Sequence, residues 1–332
     1  LTIMHGAYIS INETGGTGGP VAAGGIGGGP SGGDSGFGIG GGGGGGNGGQ
    51  GGDASVLSGN SFGGNRTGPI LYPLNPGSGG GGGSLDAPNI GANGSGLLFI
   101  NVTENFVLNG SILAKSEDAF DGNLYGGGGG SGGSIYITAE TASGNGTILA
   151  SGSDGGDGGS TDGGGGGGGK IAIYATAIDN YHVTLTASGG SGPGSATDGG
   201  SGTIVELFGS PNQNITIRSS NITLEDGTYD IITINGTSAQ LNISAENNII
   251  ANHIILIEGI LHNDGNLTVN ENISLRSGTK FIDDGNLTIS GTIDINSSYD
   301  IRDSDLRANI INIFSAGIIQ TPVNNHSTNY SL

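Results

Sequence analysis

The stretch Asp264–Ile295 reads DGNLTVNENISLRSGTKFIDDGNLTISGTIDI and nearly repeats itself. Asp-Gly-Asn-Leu-Thr-Val at 264–269 returns as Asp-Gly-Asn-Leu-Thr-Ile at 284–289, an offset of 20 residues. At that offset Leu267 falls on Leu287, Val269 on Ile289, Ile273 on Ile293, Leu275 on Ile295 and Phe281 on Ile301. Leu267 and Val269 alternate with polar residues, the period-2 pattern of a half-buried strand. Asp-Gly and Ser-Gly pairs separate the runs as turns. Three short strands and three turns in about 20 residues describe one coil of a parallel β-helix. Upstream the offset slips to 19, with Ile222 on Leu241, Leu224 on Ile243, Ile231 on Ile250, Ile254 on Ile273 and Leu256 on Leu275. Residues 209–320 then supply about five or six coils, stacked about 4.8 Å apart. A helix is excluded because apolar residues do not recur at i, i+3, i+4, i+7. An antiparallel sandwich also suits short strands and Asp-Gly turns, but five matched positions at one offset favour the solenoid.

The N-terminal part has a longer unit. NGSILA at 109–114 and NGTILASG at 145–152 are 36 residues apart, as are GGSIYITA at 132–139 and GGKIAIYA at 168–175. Later copies drift to 37 for HVTLTASGG at 182–190 and to 33 for GSGTIVEL at 201–208, and GSGLLFINV at 94–102 is a looser early copy. Each unit is two strands plus a glycine-rich excursion. The chain therefore divides into a glycine-rich β-repeat region, 1–208, and a parallel β-helix, 209–332, an all-β architecture throughout. The glycine blocks at 126–133, 163–169 and 189–202 return in register with the strands. A flexible linker would be one uninterrupted coil. Segments without side chains can instead pack backbone on backbone in the polyproline-type conformation. The expectation is a packed glycine slab beside the strand layers, with mobile loops as the alternative.

Composition narrows the function. Glycine supplies 77 of 332 residues, far above the usual share of about 7%. Disorder is disfavoured, because Ile, Leu, Val and Phe together make 78 residues, and 40 of them are the β-branched Ile. Eight basic against 28 acidic residues exclude nucleic acid as a partner, since phosphate binding needs clustered Lys and Arg. There is no Cys, hence no disulfide framework or Cys-ligated metal. No run of 18 apolar residues is present, so no membrane span is expected. The first residues, LTIMHGAYIS, start at Leu1 rather than a methionine and carry no basic leader, which suggests a mature or excised part of a longer polypeptide.

Sixteen Asn-X-Ser/Thr sequons set the compartment: Asn12, Asn65, Asn93, Asn101, Asn109, Asn145, Asn214, Asn221, Asn235, Asn242, Asn266, Asn272, Asn286, Asn296, Asn325 and Asn329. Chance alone would give about 6 of these acceptor patterns. The excess points to secretion and N-glycosylation. Asn266 and Asn286 would stand on adjacent coils, roughly 5 Å apart, where two glycans crowd and a bare asparagine column is the competing arrangement.

Other motifs carry less. GGGGGGGK at 163–170 satisfies most of the phosphate-loop pattern, but Ile171 stands where Ser or Thr should bind magnesium, and the block precedes a strand. Nucleotide binding is rejected. Asp154, Asp157 and Asp162 lack the nonapeptide register of glycine-aspartate calcium repeats. No cofactor is expected; Asp264, Asp283 and Asp284 are the candidate ligands for isolated calcium, against the simpler reading as Asp-Gly turns. A polysaccharide-acting enzyme would need convergent carboxylates, and the C-terminal part offers few adjacent acids, Asp283–Asp284 among them. Ice binding would need regular Thr-x-Thr ladders, and Thr184–Thr186 is the one clear instance.

The glycine-block-then-strand rhythm, GGGGGSGGSIYITA and GGGGGGGKIAIYA, resembles repeat segments of large secreted surface glycoproteins of mastigoneme or adhesin type. The resemblance covers about residues 94–208 and transfers no functional residue. It implies an extracellular structural glycoprotein. The repeats themselves lead to the expectation of a non-enzymatic extracellular or cell-surface scaffold, and the lack of a charged amphipathic cap at either end suggests self-association into a fibril or continuation in a longer chain. An adhesin or carbohydrate-binding stalk is the alternative.

Overall fold

The computed structural model describes residues 1–20, 25–36, 39–84, 90–209, 214–224, 226–301, 308, 310–315 and 317–320. Among them every regular element is a β-strand, arranged in large and mostly parallel sheets. The pairing of Ile39–Gly40 with Val56–Ser58 is antiparallel. No helix is long and apolar enough to cross a membrane. The chain divides into two compact units, Leu1–Asn212 with Arg218–Ser220, and Gln213–Ile217 with Asn221–Leu332.

In the second unit the 20-residue repeat becomes strand register. Asn266–Val269 pairs with Asn286–Ile289, and Asn272–Leu275 with Thr292–Ile295, all parallel. Ile254 lies beside Ile273 and Leu256 beside Leu275, the expected offset of 19. Alternation does the rest: Leu267, Val269, Ile273, Leu275, Leu287, Ile289, Ile293 and Ile295 are buried. Each such side chain contributes about 1.5–3 kcal/mol relative to exposure. Strands are longer than the expected short segments. Asn248–Asn263, 16 residues, pairs with Asn266–Leu275 along its first part and with Lys280–Asp283 along its last.

Two expected pairings are corrected. Phe281 lies beside Tyr299, not Ile301. The repeat is two residues shorter there, and the rings stack with centroids 4.8 Å apart and planes 23° apart, an arrangement favoured beyond simple burial. Ile231 lies beside His253, not Ile250, because the strand Gly227–Ile243 shifts register between Asn235 and Gln240. Extra residues in one strand of a pair bulge it and displace the register.

The first unit carries the longer repeat. Ser134–Gly144 and Lys170–Tyr181 pair at an offset of 36, Lys170–Ala175 and Thr203–Phe208 at 33, and Leu97–Asn101 and Ser134–Thr138 at 37. A second parallel ladder runs through Tyr8–Ser10, Ser111–Leu113, Thr147–Leu149 and Thr184–Thr186. Phe106, Leu108, Ile112, Ile135, Ile137, Ile148, Ile171 and Ile173 form the apolar core.

The glycine tracts of this unit are packed. In Gly163–Gly169 every N–H is hydrogen-bonded to another segment, at 2.6–3.1 Å. Gly164 and Gly167 donate to Gly42 and Gly45; Gly165 and Gly168 donate to Thr197 and Gly200; Gly163, Gly166 and Gly169 donate to Gly156, Ser153 and Ala150. Every third N–H thus points the same way, the period of the polyproline II helix, which makes no internal bonds. The hydrogens these glycines carry in place of Cβ point at three further segments. A methyl carbon on Gly163, Gly166 or Gly169 would lie 1.9–2.0 Å from the carbonyl oxygens of Gly127, Gly130 and Gly133. On Gly164 or Gly167 it would strike Gly52 or Gly49, and on Gly165 or Gly168, Gly190 or Ala187. One tract therefore has six neighbours. None of Gly163–Gly169 has a left-handed φ, so close backbone approach, rather than an unusual conformation, demands glycine here.

Candidate functional site

The expected site is distributed over the sequons. Asn65, Asn93, Asn101, Asn145, Asn266, Asn272 and Asn286 are exposed, and Asn12, Asn109, Asn214, Asn235, Asn242 and Asn296 are half-buried. The backbone of Asn221 belongs to the strand Asn214–Thr223. Asn325 and Asn329 lie outside the described residues.

Hydrogen bonding sets apart two groups among these asparagines. In the first, Oδ1 accepts a backbone N–H from a neighbouring layer. Lys115 donates to Asn12 at 2.9 Å, Gly18 to Asn93 at 2.8 Å, Asn145 to Asn109 at 3.4 Å and Thr292 to Asn272 at 3.3 Å. In the second, the amides form a ladder. Asn286 Nδ2 donates to Asn266 Oδ1 at 2.8 Å, and Asn266 Nδ2 donates to Asn248 Oδ1 at 2.9 Å. The ladder follows from the fold: Leu267 and Val269 face the core, so Asn266 must face out, one layer from its repeat partners. A parallel chain, Asn270 to Asn252 to Asp230, runs beside it with 3.0 Å bonds.

The acidic turn places its carboxylates differently from a calcium site. Asp283 is buried and faces inward, accepting from Asn263 Nδ2 at 2.8 Å and Tyr299 OH at 3.0 Å. Burial, then the Asp283 carboxylate, pushes the Tyr299 hydroxyl far above its usual range. Asp264 and Asp284 stay at the surface and converge on His262 Nε2, at 3.3 and 2.9 Å. The three candidate calcium ligands are thus split, and the surface pair is joined by a nitrogen donor that an oxygen-seeking cation does not prefer.

One buried cation stands out. The Lys170 side chain is almost fully buried where the glycine tract meets its strand, and Nζ donates to the Thr67 carbonyl. Among the described residues no carboxylate pairs with it. Burial lowers its pKa to about 8.

An aromatic row on the outer face of the first unit is absent from the sequence reading. Phe99 stacks on Tyr136 at 5.1 Å, Tyr136 meets Tyr174 edge-on at 5.4 Å, and Tyr72 stacks on Tyr174 at 6.0 Å. Phe99 and Tyr72 are exposed. A signal for it exists, because the 37-residue offset pairs Phe99 with Tyr136 directly. No family model, curated protein or solved structure matches this chain.

Proposed function

We propose that this chain is a non-enzymatic, extracellular or cell-surface structural glycoprotein built as a β-solenoid that assembles into filaments. The observation that carries the reading is repetition converted into parallel register, at 36 residues in the first unit and 20 in the second. Stacked layers that contact only their neighbours make a quasi-one-dimensional body whose stability grows with each layer added. Such a stack ends in strand edges, which invite pairing with another chain. The Ile310–Ile313 strand pairs on one side with Thr292–Ile295 and, among the described residues, on no other. Ile310, Ile313, Phe314 and Ile318 beside that edge are all more than half exposed, consistent with an apolar edge awaiting a further layer. The excess of sequons supports a glycan coat, and it is the compositional argument for secretion.

Electron microscopy of the natively purified protein, with and without enzymatic removal of N-glycans, tests this reading. Regular filaments that thin after treatment are expected. Single short rods of unchanged width would contradict it.

The exposed ring row favours a second reading, a stalk that binds carbohydrate. Sugars stack on exposed aromatic faces, and Phe99 offers one. Loss of polysaccharide binding in Phe99→Ala, with filaments intact, would establish it as an additional role.

A further inference from the structure

We propose that Asn93 and Asn272 carry glycans in the folded protein and that Asn266 and Asn286 do not. This rests on the glycoprotein reading above and sorts its sequons by geometry. Attachment joins Nδ2 to C1 of a sugar activated as a phosphate ester, which a transferase supplies. The N–C1 bond forms, the C1–O bond to phosphate breaks, the phosphate leaves with that electron pair, and one Nδ2 proton passes to a base. The finished molecule therefore needs an Nδ2 that points into open solvent with room for a sugar.

Asn93 and Asn272 meet that need. A backbone N–H can be satisfied only by the amide oxygen, so Gly18 and Thr292 fix which way each amide faces. Nδ2 is left pointing away from the donor, and among the described residues it makes no hydrogen bond. Both side chains are exposed. Asn272 has no sequon as a strand partner. The strand partners of Asn272 are His253 and Thr292, and the backbone around Asn93 abuts Gly130 and Ser116.

Asn266 and Asn286 do not meet that need. Each Nδ2 is held in the amide ladder, at 2.9 and 2.8 Å. Asn266 has Asn248 on one side and Asn286 on the other, at the strand spacing of about 4.8 Å. A sugar on Nδ2 replaces one amide hydrogen and stands in the path of the ladder, so carrying it means pulling that amide out of its bonds. Transfer to a nascent chain does not sense the fold, but the fold decides which sugars the finished molecule can hold.

The test uses the full chain secreted from a glycosylating eukaryotic host, with the folded fraction examined by intact mass and glycopeptide mapping. Ser274→Ala and Thr288→Ala delete the sequons of Asn272 and Asn286 while keeping both asparagines and their hydrogen bonds. Thr288 is exposed and Ser274 half-buried, so both variants should fold. Ser274→Ala is expected to lose the mass of one glycan and Thr288→Ala none, with sugar mapped to Asn93 and Asn272. A glycan on Asn266 or Asn286, or an unchanged mass in Ser274→Ala, overturns the proposal. A chain with no glycan at any sequon, from a host that glycosylates a control protein, overturns the glycoprotein reading itself, and this inference with it.

Discussion

The two units join neighbouring segments with opposite materials. In the second, layers are held by side chains: inward Ile and Leu columns fill the core, and outward asparagines link layer to layer. In the first, the strands do likewise, but the glycine tracts dispense with side chains and join backbone to backbone in three hydrogen-bonded and three van der Waals directions. Layers joined through side chains tolerate small adjustments, because a rotamer can move. Layers joined through bare backbone do not, because every neighbour of a tract is itself clamped.

The largest expected effect breaks that contrast at its centre. In Gly166→Ala the new methyl would lie 2.0 Å from the Gly130 carbonyl oxygen, and Gly130 is in turn pressed against Asn93 and Ser116. Overpacking of this kind costs about 3 kcal/mol or more. The variant should show little soluble folded protein, or a greatly lowered melting temperature by circular dichroism. Gly278→Ala is the control. Gly278 has φ +89° and open space around it, so only backbone strain of about 1–2 kcal/mol applies.

In the second unit Ile273→Ala empties a fully buried position between Ile254 and Ile293. A loss of about 2–5 kcal/mol is expected from denaturant titration. An effect below about 1 kcal/mol would mean that the apolar columns do not hold the layers.

Lys170 sharpens the comparison through pH. Its folded pKa of about 8 lies below the unfolded value of 10.5, so between these pH values the unfolded chain binds a proton that the folded one has lost. Stability therefore rises from pH 8 upward, by up to about 3 kcal/mol for the full shift. The rise is cut short above about pH 10. The Tyr181 and Tyr299 hydroxyls are held far above their usual range, by burial first and then by Glu206 and Asp283. They stay protonated when folded but ionise when unfolded, which removes stability there. Lys170→Met should abolish the rise between about pH 8 and 10 and be the more stable protein at pH 7.

The smallest effect concerns the ladder. Asn266→Ala removes two exposed amide bonds and should cost about 1 kcal/mol. Thr288→Ala, which leaves them intact, should cost almost nothing.

What the sequence makes legible depends on side chains. The 36-residue match between GGSIYITA and GGKIAIYA predicts the pairing of Ser134 with Lys170, because apolar alternation marks register. The Leu267–Leu287 column is equally plain. Phe281 defeats the count because ring stacking on Tyr299 outweighs an unbroken 20-residue offset. Packing of the glycine blocks can be expected from their recurrence, but their partners cannot be read. Nothing in Gly164 marks Gly42 as its acceptor, since residues without side chains leave no pattern to align. At the sequons, the motif is the same for Asn272 and Asn286; only the layer above and below distinguishes them.

Amide hydrogen exchange across Gly163–Gly169 tests the central claim most directly, that glycine here is packing material. If all seven N–H groups are bonded as described, the tract should exchange as slowly as residues 171–175 of the neighbouring strand Lys170–Tyr181, within about tenfold. Exchange throughout the tract at the rate of an unstructured chain, beside a protected strand, would show a mobile loop and contradict the account.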